Sequence, residues 1–239
     1  MPEPDSWDLL NWDCSDLTGW TDDDSGTAVS EISPAGQLRL DTNAAGGGSR
    51  YASRYQDIGS IPNTFTVEIK TYFDLLGTMA NNAYAQLQIM QADEGLLLHF
   101  ASDDVQTYDN DSGFVSVGNL AKTGASVEWQ IWRILVTFTG TTGEGTCDIY
   151  LYDSTHVWSK VGTGIACSYE SATPGNGYTR VRQRAIDDAD RLTHIDYLKI
   201  ATGLFTPTTF GTINGLSWAS VKSVNGQLKS VTKTINGWS

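Results

Sequence analysis

The chain has 239 residues, enough to bury a sizeable core without disulfide staples. Fifteen Lys and Arg against 28 Asp and Glu leave a net charge of −13, and so acidic a surface repels phosphate backbones and anionic headgroups, which argues against nucleic-acid and membrane partners. Only 18% of residues are charged, and eight Trp and ten Tyr accompany abundant Gly, a composition that favours strands over long amphipathic helices.

Met1 to Trp12 lacks the basic start and apolar core of a signal peptide, and no run approaches the roughly 18 apolar residues of a membrane span. From residue 37 onward, short stretches rich in β-branched and aromatic residues alternate with Gly, Asn, Asp and Ser clusters, the pattern of strands joined by turns. The predicted strands are Gln37 to Asp41, Arg50 to Ile58, Thr64 to Phe73, Tyr84 to Gln91, Leu96 to Ser102, Phe114 to Gly118, Glu128 to Thr139, Cys147 to Tyr152, Val157 to Val161, Thr179 to Ile186 and Leu192 to Ala201. So many strands are too many for one flat sheet, and two packed antiparallel sheets are the usual solution. In Thr64 to Lys70, Phe65, Val67 and Ile69 share a dry face while Thr66, Glu68 and Lys70 share a wet one. Glu128 to Thr139 is denser in apolar residues and reads as a central strand buried on both sides. Cys147 to Val161 reads as a hairpin turning at Asp153, Ser154, Thr155 and His156.

The opening WDCSDLTGWTDDDSGTAVSEISPAGQLRLD, the middle EWQIWRILVTFTG followed by CDIYLYD, and the closing LTHIDYLKIATG resemble the concanavalin A-like lectin/glucanase (laminin-G-like) jelly roll over roughly Trp7 to Gly203. The resemblance implies an all-β, two-sheet antiparallel sandwich spanning residues 1–203; it does not by itself imply an activity.

After Gly203 the uncharged segment LFTPTTFGT reads as a linker over residues 204–212. Residues 213–239 repeat with a period of eleven: INGLSWASVKS, VNGQLKSVTKT and a truncated INGWS. Asn-Gly between apolar-bearing runs favours a type I′ hairpin, predicting turns at Asn214-Gly215, Asn225-Gly226 and Asn236-Gly237 in a small β-hairpin arm. Such an arm buries too little surface to stand alone, so Ile213, Trp218, Val221, Val224, Leu228, Val231, Ile235 and Trp238 are expected to pack on something else, with Trp218 and Trp238 as anchors between copies. All acidic residues precede Tyr197, whereas Lys199, Lys222, Lys229 and Lys233 follow it, so a basic arm suits an acidic body. Repeats of this kind after a jelly roll resemble C-terminal segments of tailed-bacteriophage tail and fibre proteins. That resemblance implies a non-enzymatic structural part of a virion (tail, fibre or surface decoration), assembled in the host cytoplasm and forming a homo-oligomer or joining other virion proteins. The alternative is a carbohydrate-binding module, extracellular, recognising a host-surface or environmental glycan.

Glucanases of this class use carboxylates in an E-x-D-x-x-E strand. The nearest acidic strand here offers only Glu68 and Asp74, read as surface charges, and jelly-roll lyases would need His where Trp132 stands in WQIWR. The three histidines, His99, His156 and His194, are scattered, and the expectation is that the protein is not an enzyme and needs no cofactor. For a structural calcium, the runs Asp22 to Gly26 and Asp109 to Gly113 lack the closing ligands and read as turns, leaving Asp187, Asp188 and Asp190 as weak candidates. Three cysteines without C-x-x-C spacing give little support to zinc or a disulfide framework; a Cys147–Cys167 bridge and buried free thiols both stay open. Most of the tryptophans read as core.

The most unusual strand is TRVRQRAI, where Arg180, Arg182 and Arg184 fall on one face. Three guanidiniums side by side repel unless anions lie among them. Either this protein's own or a neighbour's carboxylates pair with them, or the strand lines a groove for an acidic glycan or another anion.

Overall fold

The computed structural model describes residues 4, 6–43, 48–91, 94–139, 144–170, 177–186 and 189–207, together with four two-residue strands beyond them. In chain order the strands of the body are β1 (Leu10–Trp12), β2 (Thr21–Asp22), β3 (Val29–Ile32), β4 (Leu38–Asp41), β5 (Arg50–Gly59), β6 (Thr64–Leu75), β7 (Ala85–Gln91), β8 (Glu94–Phe100), β9 (Val105–Asp109), β10 (Gly113–Gly118), β11 (Trp129–Phe138), β12 (Gly145–Tyr152), β13 (Trp158–Ala166), β14 (Tyr169–Glu170), β15 (Gly177–Ala185) and β16 (Leu192–Thr202). They form two antiparallel sheets. The first runs β13-β12-β11-β6-β16-β4-β3, with β1 beside β16; the second runs β10-β9-β8-β7-β15-β5-β2, with β14 beside β8. This is an all-β sandwich of jelly-roll type, and every expected strand is present with ends shifted by a few residues.

Alternation along each strand sends one set of side chains inward. Phe65, Val67, Ile69 and Phe73 of β6 and Trp132, Ile134 and Val136 of β11 meet Leu87 and Ile89 of β7, Leu96, Leu98 and Phe100 of β8 and Val181 of β15 in a single core. Phe100 joins the sheets, its ring 5.1 Å from Phe73 and 5.0 Å edge-on from Trp132. Strand β11 lies between β12 and β6, and its middle residues from Trp132 to Val136 are buried on both faces, as its apolar density predicts.

The wet face of β6 is a correction. Thr66 and Glu68 are buried, not solvated. Thr66 Oγ1 donates to the Gly203 carbonyl and accepts from the Phe205 amide, so the chain leaving β16 crosses this face. Glu68 receives the guanidinium of Arg133 from β11 and the hydroxyl of Tyr197 from β16, and Arg133 in turn lies over the rings of Trp7 (5.8 Å) and Trp158 (5.1 Å). Alternation shows which residues share a face but not what covers it.

The cysteines are all free and buried, so the Cys147–Cys167 bridge is not formed. Beyond the body, Thr212–Ile213 pairs with Leu216–Ser217 and Ser223–Val224 with Gln227–Leu228, bracketing Asn214-Gly215 and Asn225-Gly226 as two hairpins. The third expected turn, Asn236-Gly237, and the side chains expected to dock the arm, Trp218, Val221, Val231, Ile235 and Trp238 among them, lie outside the described residues.

Candidate functional site

Strand β15 decides the chemistry of the second sheet's outer face. Thr179, Val181, Gln183 and Ala185 point inward and are buried, which turns Tyr178, Arg180, Arg182 and Arg184 outward and half-buried. The adjacent β5 sets Asp57, Tyr55, Ser53 and Tyr51 directly opposite those four, and β7 on the other side contributes Met90, Gln88 and Gln86. The result is a ladder in which each guanidinium lies over a tyrosine. Arg180 sits 5.6 Å from the Tyr55 ring and 5.3 Å from Tyr178, Arg182 4.3 Å from Tyr51, and Arg184 5.7 Å from Tyr84. Such contacts hold a guanidinium in place without neutralising it.

Among the described residues Asp23 is the one carboxylate that pairs with these arginines, and it reaches two of the three. Its Oδ2 accepts from Arg182 at 2.9 Å and stands 3.6 Å from Arg180. Arg184 instead donates to the Tyr84 hydroxyl at 2.9 Å, Arg180 reaches Gln88 Oε1 at 3.4 Å, and the Arg180 Nε is buried with no partner. Both readings of the strand thus meet the same geometry: an internal carboxylate is present, but Asp23 and Asp57 against three guanidiniums leave an excess of one positive charge on this face of a strongly acidic protein.

The face continues past the ladder. Tyr84 stacks on His99 of β8 with centroids 3.9 Å apart and planes 16° apart, and His99 lies 5.2 Å from Phe114, which is 54% exposed. Gln86 Nε2 is 3.3 Å from His99 Nε2. Burial, reinforced by the nearby charge of Arg184, pushes the His99 imidazole down to about 3, so it is neutral at physiological pH. Its Nδ1 is buried without a partner. Tyr108 packs edge-on against Phe114 at 5.0 Å. Arginines, amides and aromatic rings therefore follow one another across β5, β15, β7, β8, β9 and β10, with Tyr84, Gln88 and His99 buried between the arginines and the exposed Phe114.

Of the calcium candidates, Asp187 and Asp188 lie outside the described residues, and Asp190 is exposed. Among the described residues no group of three His, Cys, Asp or Glu is placed to hold a metal ion. The carboxylates of the Asp22 to Gly26 turn are already engaged: Asp22 with Arg54, Asp23 with Arg182, and Asp24 with the Ser30 and Ser53 amides. Sequence reasoning placed the arginines on one face but missed the tyrosines beneath them. Tyr51, Ser53 and Tyr55 alternate along RYASRYQ, a period that was legible, but the register opposing them to β15 was not.

No protein-family model and no curated protein sequence matches the chain. Solved structures do resemble it. Bacteroides ovatus xyloglucan-locus GH43B matches with a TM-score of 0.53 and 16% identity over 84% of this chain and 40% of that one. Peanut lectin matches with a TM-score of 0.51 and 8% identity over 83% and 98%. The Emp47p carbohydrate recognition domain matches with a TM-score of 0.50 and 13% identity over 83% and 97%. This chain thus spans less than half of GH43B but nearly the whole of the two lectins. At these identities the likeness establishes a shared concanavalin A-like jelly-roll fold and nothing finer.

Proposed function

We propose that the protein is a carbohydrate-binding module whose arginine–tyrosine face takes an acidic glycan, carboxylated or sulfated. The observation that carries this reading is the ladder itself: three half-buried guanidiniums held on tyrosine rings, two of them within reach of Asp23 and the third bonded instead to a tyrosine hydroxyl. Guanidiniums present forked donors that match carboxylates and sulfates, while tyrosine and phenylalanine surfaces offer planes against which pyranose rings pack. The fold shared with two lectins adds support, since one of them is a carbohydrate recognition domain by name. The likeness to GH43B covers a minority of that chain, and the best-engaged acidic side chain of the first sheet, Glu68, is locked between Arg133 and Tyr197, so binding without cleavage is the reading we favour. None of these three likenesses is to a virion protein, and the assembly role inferred from the arm is the weaker reading.

The test is a glycan array followed by calorimetry with polygalacturonate, alginate and chondroitin sulfate. Acidic polymers are expected to bind and neutral ones to leave this face empty, with affinity falling as salt rises. Arg182→Ala should weaken binding at least tenfold, equivalent to about 1.4 kcal/mol or more, in a chain that still folds. Equal binding by the folded variant, or no acidic glycan bound at all, would overturn the proposal.

A further inference from the structure

The opposite side of the sandwich carries a second feature that the arginine face does not explain. On the outer face of the first sheet, Lys70 of β6, Ile131 of β11 and Tyr152 of β12 stand side by side in register. Together with Trp129, one residue pair along β11, they border a pocket of about 290 Å³, whose rim is completed by Glu128 and the β12–β13 turn, including His156. Part of that turn is strained: His156 has φ +57°, a left-handed backbone rarely adopted by a non-glycine residue, and its amide bonds back to the Asp153 carbonyl.

The surroundings hold the pocket still. Trp129 packs on Tyr72 at 5.4 Å and carries the Lys70 ammonium at 4.9 Å. Tyr152 packs on Trp158 at 5.4 Å, the same Trp158 that covers Arg133 and so ties the pocket wall to the buried Glu68–Arg133 pair. One group within it is left over. Glu128 Oε1 is shut off from solvent and meets no hydrogen-bond partner. A carboxylate oxygen in that position is costly unless a donor reaches it.

We propose that this pocket binds a neutral pyranose, as a second glycan site separate from the arginine face. Its aromatic and aliphatic walls suit the apolar face of a sugar ring, and the Glu128 carboxylate at the rim suits a ring hydroxyl. The charges at its edge weigh against an anion. The Glu128 and Asp153 carboxylates repel an anion, and the Lys70 ammonium is already paired with Asp196 at 2.6 Å, so it is not free to bind one. An uncharged, hydroxyl-rich ligand fits this rim and these walls, and competition by a cation is the alternative that the experiment reads.

The experiment uses the full chain and saturation-transfer NMR with cellohexaose, xylohexaose, mannohexaose and galactohexaose at high ionic strength, which screens the arginine face. At least one neutral hexaose is expected to bind saturably. Trp129→Ala should weaken it by about tenfold or more, the near-isosteric Glu128→Gln by about threefold to tenfold, and Arg182→Ala should leave it unchanged. Circular dichroism and thermal melting verify folding, and Glu128→Gln keeps the idea testable if Trp129→Ala misfolds. The proposal fails if no hexaose saturates, if folded Glu128→Gln binds as the parent does, or if Arg182→Ala abolishes the signal. It fails equally if tetramethylammonium competes for the pocket as well as the sugars do.

Discussion

His99 shows how one side chain links the glycan face to stability. It is buried between Tyr84 and Phe114 and stays neutral in the folded protein, whereas in the unfolded chain it titrates near 6.5. With the folded value depressed, the unfolded state binds the extra proton as pH falls, so the contribution of His99 is fully present above pH 6.5 and is lost progressively towards pH 3. The expected slope is up to about 1.4 kcal/mol per pH unit in that window, read from urea unfolding between pH 7 and pH 5. His99→Gln should flatten the curve, and an identical slope in that variant would remove His99 as the cause. Trp129 and Trp132 make a contrasting pair. Three positions apart on β11, they fall on opposite faces, with Trp132 wholly buried in the core and Trp129 half-buried beside the outer pocket. What the sequence could not show was that the outer tryptophan borders a cavity, because the cavity is built from three strands whose register is set by the fold.

At the level of elements, strand content was legible because the long strands alternate cleanly and are bounded by turn residues. The strands missed were β1, β2, β3, β9 and β14, of two to five residues, too short for a period to declare itself. The same limit governed the site. Arg180, Arg182 and Arg184 were readable as one face from their spacing alone, but Asp23 and Tyr51 reach them from more than a hundred residues away, and only the β5–β15 and β2–β5 pairings bring them there. Glu68 was misread for a related reason: β6 and β11 bring it against Arg133, where the side chains are 10% and 4% exposed. A pair so enclosed is expected to resist the loss of either partner. Arg133→Met, which strands the Glu68 carboxylate, should cost about 3–5 kcal/mol in chemical denaturation, while the double variant Glu68→Gln/Arg133→Met should recover much of that loss. Single variants within about 1 kcal/mol of the parent would show the pair to be solvated after all.

For the molecule as a whole, the body and the arm make separate expectations. Among the described residues the side chains of the core fall between Trp12 and Ile200, so removing residues 208–239 should leave the sandwich folded, with Tm lowered by less than about 4 °C, the equivalent of about 1 kcal/mol. If the arm joins copies, as its apolar repeats suggest, light scattering of the truncated chain should show the mass of a monomer where the full chain is larger. An unchanged mass would take self-association away from the arm.

The two outward surfaces of the sandwich face opposite directions, separated by sheets packed about 10 Å apart. With both proposed sites occupied, no second copy is needed to crosslink: one molecule would staple a charged polysaccharide to an uncharged one, thickening a mixed gel most when neither polymer is in excess.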